Sequence, residues 1–483
     1  MPDSSDALSY AVRPRVVGYY LSQLALMLVL LTLVPFGVSV AFGESAYGVR
    51  FGIVIAGLAL VAWRGMQQPA PQQIQTNEAL VVVGLAFVIT PLLMTVPLSA
   101  SGLPYIDVLF ESVSAITTTG LSTAGSIDDR APIFHFTRAW MQWFGGLGIA
   151  ALSVALLMGH HAAARRLSDP VDNENIATTA RTQARQLLTV YGTMTVVGVI
   201  ALWAVTGDAF IAVVHMLATV STGGFSSFDA SLAAMPPAAG WIVSVFALLG
   251  AVPLLLYYGA LRRPRELFAD REVHALAVMV VLLCGLLTLS LATFSSLPWA
   301  DAVEQAVLSG VSAQTTTGFA SMPVAQMDPL SHLLLIVGML VGGGSGSTAG
   351  GSKLLRLLIF WRLLQHFLHR SAMPPHAVAD AHLGGRRLEA ADIERTMLVL
   401  GLFTATILVS WLIFVGQGFA ALDALFEVVS AVSTVGLSSG ISGPELAPTL
   451  KLLLCTDMLL GRLEILALLV LLYPRTWIGR RTP

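Results

Sequence analysis

"SAITTTGLST", residues 114–123, lies between two long apolar runs, yet it holds four threonines, two serines and a glycine. The string returns as "ATVSTGGFSS" from 218, "SAQTTTGFAS" from 312 and "SAVSTVGLSS" from 430. Aligned, the copies place Gly120, Gly224, Gly318 and Gly436 in one column. Ahead of it stand Thr117, Ser221, Thr315 and Ser433, then Thr118, Thr222, Thr316 and Thr434, then the less regular set Thr119, Gly223, Thr317 and Val435. Small polar residues also let membrane helices pack closely, and one copy alone reads either way. Four copies at the same place between apolar runs point to one shared role.

The chain has 483 residues, 55% hydrophobic and 11% charged, with mean hydropathy +0.78. Soluble domains carry about 25% charged residues, so this is an integral membrane protein. Counting roughly 20 apolar residues per crossing, ten spans are expected at 16–42, 47–64, 79–98, 136–158, 187–206, 240–260, 274–294, 331–361, 396–416 and 447–472. The stretch before Val16 is polar and carries Arg13 and Arg15, which argues against a cleaved signal peptide. Basic residues such as Arg165, Arg166, Arg262, Arg263, Arg386 and Arg387 crowd one side, whereas Arg50, Arg130, Arg138 and Lys451 face the other. The positive-inside rule then makes both termini cytoplasmic. The net charge of −2 gives no sign of a nucleic-acid partner. Cys284 and Cys455 read as packing residues.

Before each string runs an apolar segment too short to cross, with acids near its start: Asp107 and Glu111, Asp208, Asp301 and Glu304, Asp423 and Glu427. Carboxylates favour the positive end of a helix dipole, so these segments read as half-helices whose negative ends aim at the glycine strings. Irregular backbone at membrane depth is tolerated only where it is buried in protein or lines a watery cavity. Four such turns about an axis would offer carbonyl and hydroxyl oxygens, ligands suited to a hard cation, as carbonyl rings do in potassium channels. Glycine suits the shared column because carbonyls aimed alike need backbone angles a Cβ disfavours.

On these strings, on "GGGSGSTAGGSK" at 342–353 and on "GRLE" at 461–464, the chain resembles the Trk/Ktr/HKT superfamily of potassium and sodium transporters, and within it the bacterial Trk branch. The resemblance implies an all-α membrane fold: four pseudo-symmetric membrane-pore-membrane repeats (77–165, 166–262, 263–370 and 371–483) around one pore, after a two-helix extension at 1–76. It also implies a homodimer in the bacterial inner membrane, docked on a cytoplasmic nucleotide-binding regulatory ring. Glycine throughout the filter column goes with potassium in this family, and Gly120 fits; Gly223 and Val435 leave one hydroxyl layer incomplete, which predicts moderate selectivity.

The span 331–361 is too long for one crossing and is broken by Gly342, Gly343, Gly344, Ser345, Gly346, Ser347, Thr348, Gly350 and Gly351. Each glycine costs a helix about 1 kcal/mol relative to alanine. The run fails the phosphate-loop pattern, since Ser352 precedes Lys353 and leucine follows. A broken membrane helix remains; the resemblance makes it the loop that obstructs the pore beneath the filter, and makes Arg462 a positive charge facing that pore. Lys353 reads either as pore-lining or as reaching the cytoplasmic interface. His215 reads as a packing residue, and His376, Asp380 and His382 fall short of a metal-site pattern. The basic stretches 159–186, 261–273 and 362–395 are the expected docking surface for a partner. Potassium is then the substrate and no bound cofactor is expected. Rival readings are a sodium-permeable or sodium/proton-coupled transporter of the same fold, an intramembrane hydrolase, which would need a base near a serine or threonine, and a receptor-like scaffold.

Overall fold

The computed structural model describes residues 11–478 apart from 72, 167–172, 262, 373, 375–379 and 385, and gives the backbone alone for 153–166, 173–181 and 386. Helices α1 (Pro14–Ala41) and α2 (Ser45–Met66) form a hairpin. Four groups follow. The first is α3 (Thr76–Leu98), α4 (Tyr105–Ile116) and α5 (Pro132–Arg166); the second is α6 (Asn173–Thr206), α7 (Ala209–Val220), α8 (Pro237–Ala251) and α9 (Leu254–Ala260). After the short α10 (Pro264–Ala269), the third comprises α11 (Arg271–Thr293), α12 (Trp299–Gln314), α13 (Pro329–Val341) and α14 (Leu354–Ser371). A two-residue antiparallel hairpin, β1 (His382–Leu383) and β2 (Arg386–Arg387), pairs His382 with Arg387. The fourth group is α15 (Ala390–Gly416), α16 (Ala421–Val432), α17 (Pro448–Arg462) and α18 (Leu466–Leu472), followed by α19 (Pro474–Trp477). The protein is a helical membrane protein.

Helices α1, α2, α3, α11 and α15 and residues 182–206 of α6 are long and apolar enough to cross a bilayer. Side chains such as Leu30, Ile53, Val281 and Val409 stand exposed on them, as a lipid-facing surface requires. Three of the ten expected spans are not single helices. The 240–260 span bends by 90° between α8 and α9, where Pro253 removes a backbone donor and its ring blocks the preceding turn. The 331–361 span is interrupted by the glycine loop between α13 and α14. The 447–472 span breaks after Arg462, where Glu464 and Ile465 take left-handed φ values of 52° and 63°.

Each short helix packs between the helices on either side of it in sequence, and also receives the helix that follows the short helix of the preceding group: α5 lies on α7, α8 on α12, α13 on α16, and α17 on α4. That order returns to its start. The returning seam carries a buried ion pair, Lys451 Nζ to Asp107 Oδ1 at 2.6 Å, and Lys451 also donates to the Pro444 carbonyl at 2.7 Å.

Two sequence expectations change here. Arg138 and Lys451, counted from the sequence on the sparsely charged side, are buried against carboxylates. Asp208 does cap its helix, accepting from the Phe210 and Ile211 amides at 2.8 and 3.0 Å, and Asp107 and Asp423 lie in first turns. Glu111 and Glu427, however, sit one to two turns into their helices and are fully buried, beyond the reach of the dipole effect that predicted them.

Removing one partner of a buried ion pair costs about 3–5 kcal/mol, because the other charge is left in a poor solvent. Lys451→Met is therefore expected to lower the melting temperature of the detergent-solubilised protein markedly, with Lys451→Met/Asp107→Asn recovering most of the loss, as thermal-shift scans would register.

Candidate functional site

At the C-terminus of each short helix the backbone repeats one conformation. Thr117, Ser221, Thr315 and Ser433 are right-handed, with φ of −79°, −79°, −82° and −80°. The next residues, Thr118, Thr222, Thr316 and Thr434, are left-handed at 55°, 52°, 56° and 52°. Gly120, Gly224, Gly318 and Gly436 have φ of 92°, 74°, 82° and 96°. A left-handed threonine costs about 1–2 kcal/mol, and four of them persist only because their surroundings fix them. The fixing bonds come from the short helices. Amides of Thr119, Gly223, Thr317 and Val435 donate to the carbonyls of Ser114, Ala218, Ser312 and Ser430 at 2.8–2.9 Å. Successive right- and left-handed residues put N–H groups on one side; with those N–H groups turned onto the helix, the carbonyls face the other way.

The four turns close into a ring. A Cβ on Gly120 would run into the Gly223 carbonyl, on Gly224 into that of Thr317, on Gly318 into that of Val435, and on Gly436 into that of Thr119. Each glycine thus lies against the next turn's carbonyl, in cyclic order. Thr117 and Thr119 share a hydroxyl contact at 2.8 Å, and Thr315 and Thr317 another at 2.7 Å. The second turn has Gly223 instead, and the Gln142 side chain from α5 occupies that space, donating to the Gly223 carbonyl and accepting from the Phe225 amide. On one side of the ring opens a vestibule of about 350 Å³, lined by the glycine column with Arg138 and Asp229 on its wall.

On the other side the 342–353 loop is held against the turns. The Thr348 hydroxyl bonds the Val220 and Gly250 carbonyls at 3.1 and 3.0 Å. Gly350 N–H donates to the Thr316 hydroxyl at 2.6 Å and Gly351 N–H to the Ser433 carbonyl at 3.0 Å. Its near end is tied down by Gly344 N–H to the Ala251 carbonyl, Ser345 N–H to Glu272, Leu254 N–H to the Gly346 carbonyl, and Ser347 Oγ to the Gly344 carbonyl. Gly342 accepts from Gln314 at 2.7 Å, and the Gly343 carbonyl accepts from the Leu354 amide at 3.0 Å. Arg462, buried, donates from Nη1 to the Thr348 carbonyl at 2.9 Å, while its Nε and Nη2 have no partner among the described residues. Lys353 does not reach the interface; it is buried and folds back on the Ala349 carbonyl. The loop and the "GRLE" arginine, far apart in sequence, are therefore in direct contact. Glu464 pairs instead with Arg356 at 2.5 Å and Arg395 at 3.7 Å.

Other candidates resolve simply. His215 has Nδ1 on the Ile211 carbonyl at 2.9 Å and Nε2 on Ser226 Oγ at 3.0 Å, and stacks near Phe228 and Phe319. His376 lies outside the described residues, and Asp380 pairs with Arg387 at 3.0 Å. The left-handed backbone of the threonine column and the roles of Gln142 and Gln314 were not foreseen; the invariance of threonine at that one column was the available signal for the first.

Thr348→Val keeps the shape and removes a hydroxyl proton shared between two carbonyls, a hydrogen bond worth about 1–1.5 kcal/mol. The Gly350 and Gly351 amides are then expected to exchange hydrogen about tenfold faster or more, a change that mass-resolved exchange on the solubilised protein would detect.

The chain matches the family described as TrkH, cation transport protein, over residues 49–264 and 268–476. It is 30% identical to the Trk system potassium uptake protein TrkH of Escherichia coli (strain K12), covering 81% of this chain and 85% of that protein. It is 32% identical to the Trk system potassium uptake protein TrkI of Halomonas elongata, over 95% and 96%. The crystal structure of the potassium transporter TrkH from Vibrio parahaemolyticus superposes with a TM-score of 0.84 at 27% identity, over 97% of this chain and 100% of that one. Ring, loop and ancestry agree: this chain belongs to the TrkH family of cation transport proteins and is not an enzyme.

Proposed function

We propose that the protein takes up potassium through the centre of the ring, with the four glycine strings as its selectivity filter. The observation that carries this reading is the cyclic contact of four turns whose N–H groups are spent on the short helices, leaving carbonyl oxygens to replace the water that an alkali cation sheds. Potassium is what the Trk system relatives are named for. Inward movement is driven by membrane potential, about 2.3 kcal/mol per charge per 100 mV.

In this reading residues 77–165, 166–262, 263–370 and 371–483 are the four pore repeats, and 1–76 the extension ahead of them. Residues 342–351, Lys353 and Arg462 are the gate: the loop blocks the path under the filter, and Arg462 places a positive charge there that raises the barrier to a cation. Both termini are cytoplasmic in the inner membrane, the chain pairs as a homodimer surrounded by lipid, and the basic stretch 362–395 receives a nucleotide-binding regulatory ring. A sodium-admitting transporter of the same fold is the second reading, favoured by the missing hydroxyls at Gly223 and Val435.

Rubidium uptake in cells lacking their own potassium systems tests this. Gly120→Ser meets both the left-handed φ and the Gly223 carbonyl, so it is expected to cut the preference for rubidium over sodium about tenfold or more. Arg462→Ala is expected to raise flux several-fold. Unchanged ion preference in the first variant removes the filter assignment, and strong sodium competition against the wild-type chain favours the second reading.

A further inference from the structure

One column of the repeat is not accounted for by the ring or the loop. Nine residues before each column glycine stand Glu111, His215, Ser309 and Glu427, all buried. Each reaches past the ring to the strand that leaves it. Glu111 Oε1 accepts from Ser122 Oγ at 2.7 Å and Thr123 N–H at 2.9 Å. His215 meets Ser226 at 3.0 Å, and Ser309 meets Ser321 at 3.5 Å. Glu427 is the most engaged, accepting on its two oxygens from Ser438 Oγ, from Ser439 N–H at 2.9 Å and from Ser442 N–H at 3.2 Å.

Glu111 differs from Glu427 in what its second oxygen does. Its Oε2 lies 3.0 Å from Arg138 Nε, and the Arg138 guanidinium stands 3.7 Å from the centre of the Phe225 ring. Phe225 directly follows Gly224, and Arg138 lines the vestibule that a cation enters. The pair thus links the exit of the first turn to that of the second across α5.

We propose that this column positions the outer mouth of the ring, that Glu427 and Glu111 brace it as carboxylates, and that Glu111 also neutralises Arg138 so that no unpaired positive charge meets the arriving cation. Resting on the filter reading above, the proposal adds specificity-determining residues to it. The chemistry distinguishes the two acids. All donors to Glu427 are N–H or O–H groups spread over both oxygens, so a glutamine there turns an NH₂ onto a backbone N–H and breaks the brace. At position 111 a glutamine still accepts from Ser122 and Thr123 through its one oxygen, but leaves Arg138 charged and unpaired.

The test is rubidium uptake, with sodium as competitor, into proteoliposomes of the purified full-length chain. Glu427→Gln is expected to weaken discrimination against sodium about tenfold. Glu111→Gln is expected to hold discrimination within about twofold while raising the apparent KM for rubidium about fivefold, and Glu111→Gln/Arg138→Gln to bring that KM back to near wild type. A merely structural role would not split KM from selectivity in this way. Where Glu427→Gln does not fold, the milder Ser438→Ala is expected to shift discrimination the same way by about twofold. Wild-type discrimination in the folded position-427 or Ser438 variant, or a KM that Arg138→Gln fails to restore, overturns the proposal. A wild-type chain that carries no rubidium overturns the filter reading itself.

Discussion

A peptide group at membrane depth has to satisfy both its N–H and its carbonyl without help from lipid, and the structure depends on how the four turns split that requirement. Their amides are bonded to the short helices at 2.8–3.2 Å. The carbonyls of Thr119, Gly223, Thr317 and Val435 instead lie against a glycine of the neighbouring turn, and that of Gly223 also accepts from Gln142. In the proposed reading such a set of oxygens is met by a cation at the centre. The left-handed backbone at four threonines costs about 4–8 kcal/mol in sum, and the amide bonds to the short helices hold it there.

The same constraint explains the helices around the ring. Because each turn is fixed by the short helix before it, the short helices must themselves be immobile. They are wedged between their two neighbours in sequence and pinned by the helix that follows the preceding short helix. Buried polar pairs sit at these seams, where an error in register would shift an oxygen: Lys451 with Asp107, Gln142 under Gly223, and Glu111 with Arg138. Departures from fourfold symmetry follow local packing. Glycine at 223 makes room for Gln142, and the break in the third group carries a loop whose amides bond the ring.

Much of this was legible in the sequence. The glycine column, the half-helices and the interruption at 342–351 announce themselves because each repeats or breaks a simple periodicity. What stayed hidden depends on contacts between distant segments. Nothing local in "GRLE" says that Arg462 reaches Thr348, 114 residues away. Nor does composition separate Asp107, which lies in a first helical turn, from Glu111, which turns inward to hold Ser122 and Thr123; both read as acids near a helix start. The breaks at Pro253 and after Arg462 were likewise obscured, since hydropathy runs through them unchanged while the backbone does not.

Arg462 is the clearest case of an interaction that makes sense only with function in view. A buried guanidinium costs at least a few kcal/mol in a membrane unless water or a counter-charge meets it, and a purely structural role would call for a carboxylate. Glu464 is two residues away in sequence, yet it is turned by left-handed backbone toward Arg356 and Arg395. Arg462 is left with one carbonyl, Thr348, its Nε and Nη2 having no partner among the described residues, and with Gly350, Lys353 and Glu464 it lines a cavity of about 20 Å³. That volume holds about one water molecule. A buried guanidinium short of partners is electrostatically unfavourable, and in the proposed reading a cation leaving the ring of oxygens would raise that energy further. In the proposed reading, moving the loop would break the Thr348 contact and open that space to water, so the residue that resists the ion in this conformation would favour the loop's departure from it.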